Sequence, residues 1–299
     1  MQSLYKYSTS SRVRKKVEFV IISIAIISFL VHLSLIFLVD FEILVLDKSS
    51  ELLQNPIAAI YTPFSFILIY EVYLLIYYLP KSITTYIGKQ YEIITLILIR
   101  RLFKDLSHIE LTSDWFSVQY DVLFTYDIIA TLILFFLIFI FYRINQKKLS
   151  TQPNEAEFSI ALTNYIKTKQ IISVLLVPIF IVLGFYSFGS WAYESFFSVK
   201  EAVSEFKDVD NIFFDEFFTV LILADVLLLL VSLYHIDKFS KVIRDSGFII
   251  STILIKLSFG VEGFLNTVLV VVAVLFGVLI LLIHNQFEKI KTPSEDSDE

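Results

Sequence analysis

Long apolar runs separated by short polar stretches recur along the whole chain, at about 17–39, 57–79, 121–143, 169–191, 213–234 and 264–284. A helix needs roughly 20 residues to cross a hydrocarbon core of about 30 Å, so the pattern predicts six spans. Two weaker apolar stretches, 83–103 and 241–259, carry charges within them. These are the ambiguous helices. The first run follows the basic "SRVRKK" but is too long for a signal-peptide core and has no small-x-small cleavage site, so it reads as a retained first helix.

The distribution of Lys and Arg decides the number of crossings. With six spans, the loop at 144–168, flanked by Arg143, Lys147, Lys148, Lys167 and Lys169, would lie outside, against the positive-inside rule. With eight, 17 of the 24 Lys and Arg fall on the inner side, and the outer segments "DFEILVLDKSSE", "KDLSHIELTSD" and "ESFFSVKEAVSEFKDVDN" are rich in Asp and Glu. The expectation is therefore eight spans with both termini cytoplasmic. The alternative is six spans with two interfacial helices. A charged helix can cross where protein shields it on most sides.

Composition agrees with this class: 57% of the 299 residues are hydrophobic and 18% charged, with a mean hydropathy of +0.75. That is far from a domain with a polar surface. The absence of cysteine excludes disulfides, thiolate metal sites and thiol catalysis. No Gly-rich phosphate loop, nucleophile elbow, metal-spaced cluster or basic nucleic-acid face is present. The inner loops are too short for a soluble catalytic domain. The expectation is a protein that is not an enzyme, has no cofactor, no metal and no nucleic-acid partner, and resides in a bilayer. The usage of Ile, Lys, Phe and Tyr points to a prokaryotic cytoplasmic membrane.

The chain also reads as a tandem duplication. "EIITLILIRRLF" (92–103) aligns without gaps to "FIISTILIKLSF" (248–259), with six identities. Polar landmarks follow the same register: Glu71 matches Asp225 upstream, and "RINQ" (143–146) matches "IHNQ" (283–286) at the end of each last helix. Chance similarity between Ile-rich helices is the alternative. The predicted fold is an all-α polytopic membrane protein with two four-helix repeats, over 1–148 and 149–291, and an acidic disordered tail at 292–299. An even number of crossings in each repeat makes the two parallel in orientation.

Each half resembles the phosphate-starvation-inducible PsiE family of small four-helix membrane proteins. The residues that carry the resemblance are the acid of "YEVY" (Glu71), the late arginine of the short third helix (Arg100 or Arg101), and the acid-led fourth helix "DVLFTYDIIATLILFF". The second half keeps Asp225 and Lys256 but has no acid opening its last helix. The resemblance implies a four-helix plan for each half, and no activity is established for the family.

The charged residues inside the spans are the candidate chemistry. At about 1.5 Å of rise per residue, Glu71 lies roughly 12 Å above the inner boundary, with Glu92 at a similar level. Two carboxylates in a low-dielectric setting make one proton or small cation their natural occupant. Glu71, Glu92 and Asp225 are thus the candidates for an ion pathway. The alternative has Glu71 satisfied by the hydroxyls of Tyr70, Tyr73, Tyr77 and Tyr78. Arg100 falls near 24 Å, level with Asp127, and an ion pair between them is expected, with Arg101 and Lys104 reaching outward. Asp225 and Lys256 could form the corresponding pair. Acids on the second and fourth helices and bases on the third resemble a voltage sensor in plan, but adjacent arginines do not share a helix face as a sensor requires. The glycines of "LSFGVEGF" (257–264) predict a tight turn rather than a pore loop. His235 and His284, both near the inner boundary, read as solvated side chains rather than haem ligands.

The functional expectation is an ion channel or transporter for cations or protons, assembled as a homo-oligomer. The alternative is a non-conducting membrane scaffold or stress-response signalling component.

Overall fold

In a bilayer, backbone polar groups have no water to turn to, so a chain this apolar must satisfy them within helices. The structure, a computed structural model, describes residues 11–42, 56–79, 82–106, 119–149, 167–180, 182–183, 186, 209–235, 239–261 and 263–290, and every regular element among them is helical. Helix α1 spans Ser11–Asp40, α2 Tyr61–Tyr78, α3 Ile83–Leu106 and α4 Gln119–Leu149. Residues 167–180 form α5. Helices α6 (Val209–His235), α7 (Phe239–Phe259) and α8 (Phe264–Ile290) complete the order, and a short 3-10 turn at Pro56–Ile60 leads into α2. The tail at 292–299 lies outside the described residues.

Local chemistry sets several of the boundaries. Pro63 sits in the first turn of α2, where its missing N–H has no intrahelical acceptor to lose. Asp121 opens α4, where the helix dipole favours a negative charge. Between α7 and α8 the backbone turns through Gly263, whose φ of 66° lies in the left-handed region that glycine adopts without penalty. Asn266 donates from Nδ2 to the Ser258 carbonyl at 2.6 Å, satisfying one of the unpaired carbonyls that end α7. The expected tight turn is thus present in its described residues.

Three described helices are long and apolar enough to cross a membrane alone, over Arg12–Asp40, Asp121–Gln146 and Phe264–Lys289. The expected eight is larger: α3 and α7 carry charges that break up their apolar windows, the apolar part of α2 is short at Ile69–Tyr78, and part of the 169–191 run falls outside the described residues. Large apolar side chains are exposed along α1 and α4, among them Phe19, Ile27, Leu132 and Phe136, while Gln90, Arg100, Asp127, Lys169 and Asp225 are buried. Exposed apolar surface of this extent calls for a covering medium, and together with the three long helices it marks a membrane-associated protein.

Packing runs α1 on α2, α2 on α3, α3 on α4, α4 on α8, α8 on α7 and α7 on α6, with α3 also touching α7. No described residue of α3 is exposed to the outside. On α7 the exposed positions are Ile250, Ile253 and Leu257, a single apolar stripe at helical spacing.

Close approach of the helices depends on glycines. A Cβ at Gly277 of α8 would overlap the hydroxyl of Tyr91 from α3, one at Gly88 would press on Tyr142, and one at Gly247 on Ile280. Small residues at such contacts let neighbouring helices approach through van der Waals packing. Gly277→Ala should therefore destabilise the purified protein by about 1–3 kcal/mol, read as a lower thermal midpoint in detergent. Combining it with Tyr91→Ala should cost less than the sum of the single changes, because the obstructing ring is gone.

Candidate functional site

Polar groups converge at three levels on α3. Near its start, Glu92 accepts hydrogen bonds from Tyr142 of α4 and from Lys89 one turn earlier. The Lys89 ammonium also lies 5.5 Å from the centre of the Tyr78 ring on α2. Glu71 projects from α2 into the range of both Lys89 and Glu92, so the two carboxylates expected at one depth are brought together. Its Oε2 is buried and has no hydrogen-bond partner. Of the tyrosines expected to satisfy it, Tyr70 donates instead to Glu18 of α1 at 3.1 Å, and Tyr78 accepts from Arg14 at 3.3 Å.

The opposite face of α3 meets the second half of the chain. Gln90, fully buried, donates from Nε2 to Asp225 of α6 at 3.3 Å and accepts from Thr252 of α7 at 2.7 Å. Ser251 gives its only hydroxyl proton to the Ala273 carbonyl at 2.7 Å, which makes Tyr91 the donor in the 2.8 Å contact between Tyr91 and Ser251. Asp225 thus sits apart from Glu71 and Glu92, on the other side of the helix, with a partner contributed by the first half. Lys256, proposed for it from sequence, lies in the last turn of α7 and is only half-buried.

Farther along α3, by about 14 Å at helical rise, the expected pairing is corrected. Asp127 is gripped by Arg101 rather than Arg100, through Nε at 2.6 Å and Nη2 at 2.7 Å. Adjacent residues on a helix point about 100° apart, and it is Arg101 whose direction faces α4 and α8. The same guanidinium reaches Asn266 and Thr267, both on α8, and Thr267 donates to Asp127 at 2.6 Å. Arg100 is buried in its own surroundings, 4% exposed. The side chain of Lys104 lies outside the described residues.

A further polar group, unanticipated from sequence, joins α5, α7 and α8. Arg244 pairs with its neighbour Asp245 at 2.7 Å, and buried Lys169 of α5 lies within electrostatic range of Asp245, Arg244 and Asp225. His284 is not solvated: it is 2% exposed, with Nδ1 3.0 Å from the Ser240 carbonyl and Nε2 between Arg244 and Glu288. The side chain of His235 lies outside the described residues. Among the described residues no cluster of three His, Asp or Glu could hold a metal ion.

The signal for Ser251 and Thr252 was present in the sequence as polar residues inside the repeated segment 248–259, and that for Tyr86 and Gln90 as polar residues of α3 just before 92–103. Nothing in their spacing names their partners. No family model, curated protein or solved structure matches this chain.

Removing Arg101 leaves Asp127 buried with its charge uncompensated, and Arg101→Ala should cost on the order of 3 kcal/mol. The double change Arg101→Ala, Asp127→Asn should recover part of that loss in the same thermal unfolding measurement.

Proposed function

We propose that the chain is an integral membrane channel or transporter for protons or small cations, with Glu71, Glu92 and Asp225 as its ion-handling carboxylates. The observation that carries this reading is the buried Oε2 of Glu71, which has no donor and faces a second carboxylate whose own oxygens are already taken. A buried acceptor left without a partner is costly. A bound proton or cation relieves that cost, and one that can leave to the opposite side is transported.

The reading includes eight spans in two PsiE-like four-helix repeats with both termini cytoplasmic in a prokaryotic membrane. The helix contacts support the two-repeat plan: exchanging α1–α4 for α5–α8 turns the α2–α3 contact into α6–α7 and α3–α4 into α7–α8, while α4–α8 and α3–α7 map onto themselves. The polar groups follow the exchange of helices, though not residue by residue, since the ungapped register sets Lys89 opposite Asp245. In each half an ion pair on the third helix, Lys89 with Glu92 or Arg244 with Asp245, meets a polar residue of the last helix, Tyr142 or His284. At 24 and 21 residues, α3 and α7 also reach about 36 and 31 Å, enough to cross.

Purified protein in liposomes should pass protons or a monovalent cation. Glu71→Gln should lower that flux by roughly tenfold, the factor that about 1.4 kcal/mol of lost ion stabilisation gives. No flux above empty liposomes for any common ion would leave the non-conducting scaffold in its place.

A further inference from the structure

The surroundings of Asp225 hold two features beyond its contact with Gln90. Tyr86, one turn before Gln90 and on the same face of α3, places its hydroxyl beside both Asp225 and Gln90. That hydroxyl is buried, on a residue only 2% exposed, and it makes no hydrogen bond of ordinary geometry. It lies against Asp225 and Gln90 without a well-formed bond to either.

The second feature is that the Gln90 amide can be reversed while keeping its contact with Thr252, at the expense of its donation to Asp225. Thr252 donates to Gln90 Oε1 at 2.7 Å, but its hydroxyl also lies 3.1 Å from the Phe248 carbonyl. A hydroxyl both donates and accepts. With the amide turned over, Thr252 gives its proton to Phe248 and accepts from Gln90 Nε2. Gln90 Oε1 then faces the Asp225 carboxylate, where the amide nitrogen now stands at 3.3 Å.

We propose that Asp225, Gln90 and Tyr86 form a binding site for a dehydrated monovalent cation of sodium's size, with Thr252 setting the orientation of the amide. The proposal rests on the transport reading for its purpose and gives that reading its ion. Oxygens separated by about 3.3 Å are spanned at a right angle by metal–oxygen distances of roughly 2.3–2.6 Å, the range of calcium and of the similarly sized sodium ion. One carboxylate matches one positive charge. Lys169, the buried base nearest the site, interacts more strongly with Asp245 than with Asp225, and Arg244 is tied to Asp245 as well. The amide of Gln90 serves as the switch, donating to Asp225 without the ion and ligating the ion when it is present.

The test is thermal unfolding of the purified protein in detergent, titrated with sodium chloride against choline chloride at constant ionic strength. The wild type should be stabilised by sodium in a saturable manner. Asp225→Asn should abolish that dependence, and Tyr86→Phe, which keeps the ring, should weaken sodium affinity by about tenfold, as expected for one lost polar ligand. Ser34→Ala, on the exposed face of α1, should retain the response. Identical midpoints in sodium and choline for the wild type, or an undiminished sodium response in Asp225→Asn, would overturn the site. Ion flux in liposomes without sodium-specific stabilisation refutes the site and leaves the transport reading standing. Sodium-specific stabilisation lost in Asp225→Asn, without flux, supports the site and refutes transport.

Discussion

The charges of Lys89, Glu92, Arg100 and Arg101 on α3 must be enclosed by protein if that helix is to sit in an apolar medium, and the packing around α3 meets that condition. Charges facing lipid cost several kcal/mol each. With α2, α4 and α7 packed around it, α3 leaves no described residue exposed. The apolar helices α1 and α4 turn their large side chains outward instead. The usual relation of a soluble protein, apolar inside and polar outside, is therefore reversed along much of this chain.

Enclosure solves one problem and creates another, because each buried polar group then needs a partner. Arg101 and Asp127 meet this need with help from Asn266 and Thr267, and Tyr91 with Ser251 and the Ala273 carbonyl. These contacts join α3 to α7 and α8, so the groups that satisfy the first half belong largely to the second. Close packing at Gly277 and Gly88 is what lets the hydroxyls of Tyr91 and Tyr142 reach their partners. Besides Arg14 Nε, Ser173 Oγ and Asn285 Oδ1, the buried atoms without a well-formed hydrogen bond among the described residues are Glu71 Oε2 and the Tyr86 hydroxyl. Both lie beside a carboxylate of the proposed pathway, which is where an exchangeable ion would supply the missing contact.

Much of this plan is written in the sequence at the level of depth and period. Apolar runs locate the helices, Lys and Arg counts argue for the crossings, and helical rise places Glu71 level with Glu92, whose proximity the structure then displays. Azimuth is harder to read. Arg100 and Arg101 occupy nearly the same depth, and only the packing of α4 and α8 decides that Arg101 meets Asp127. Asp225 has Lys256 available within its own half, yet its partner, Gln90, comes from 135 residues away. Contacts between distant helices leave no local pattern, so Gln90, Lys169 and the Arg244–Asp245 pair could not be assigned roles from spacing alone.

The central claim is that α3 crosses the membrane with its charges sheltered by protein, rather than lying on the inner surface. Because the chain has no cysteine, Ser107→Cys supplies a single reactive thiol just beyond the end of α3. In intact cells a membrane-impermeant thiol reagent should label it from outside. Labelling only after the cytoplasmic side is opened would contradict the account.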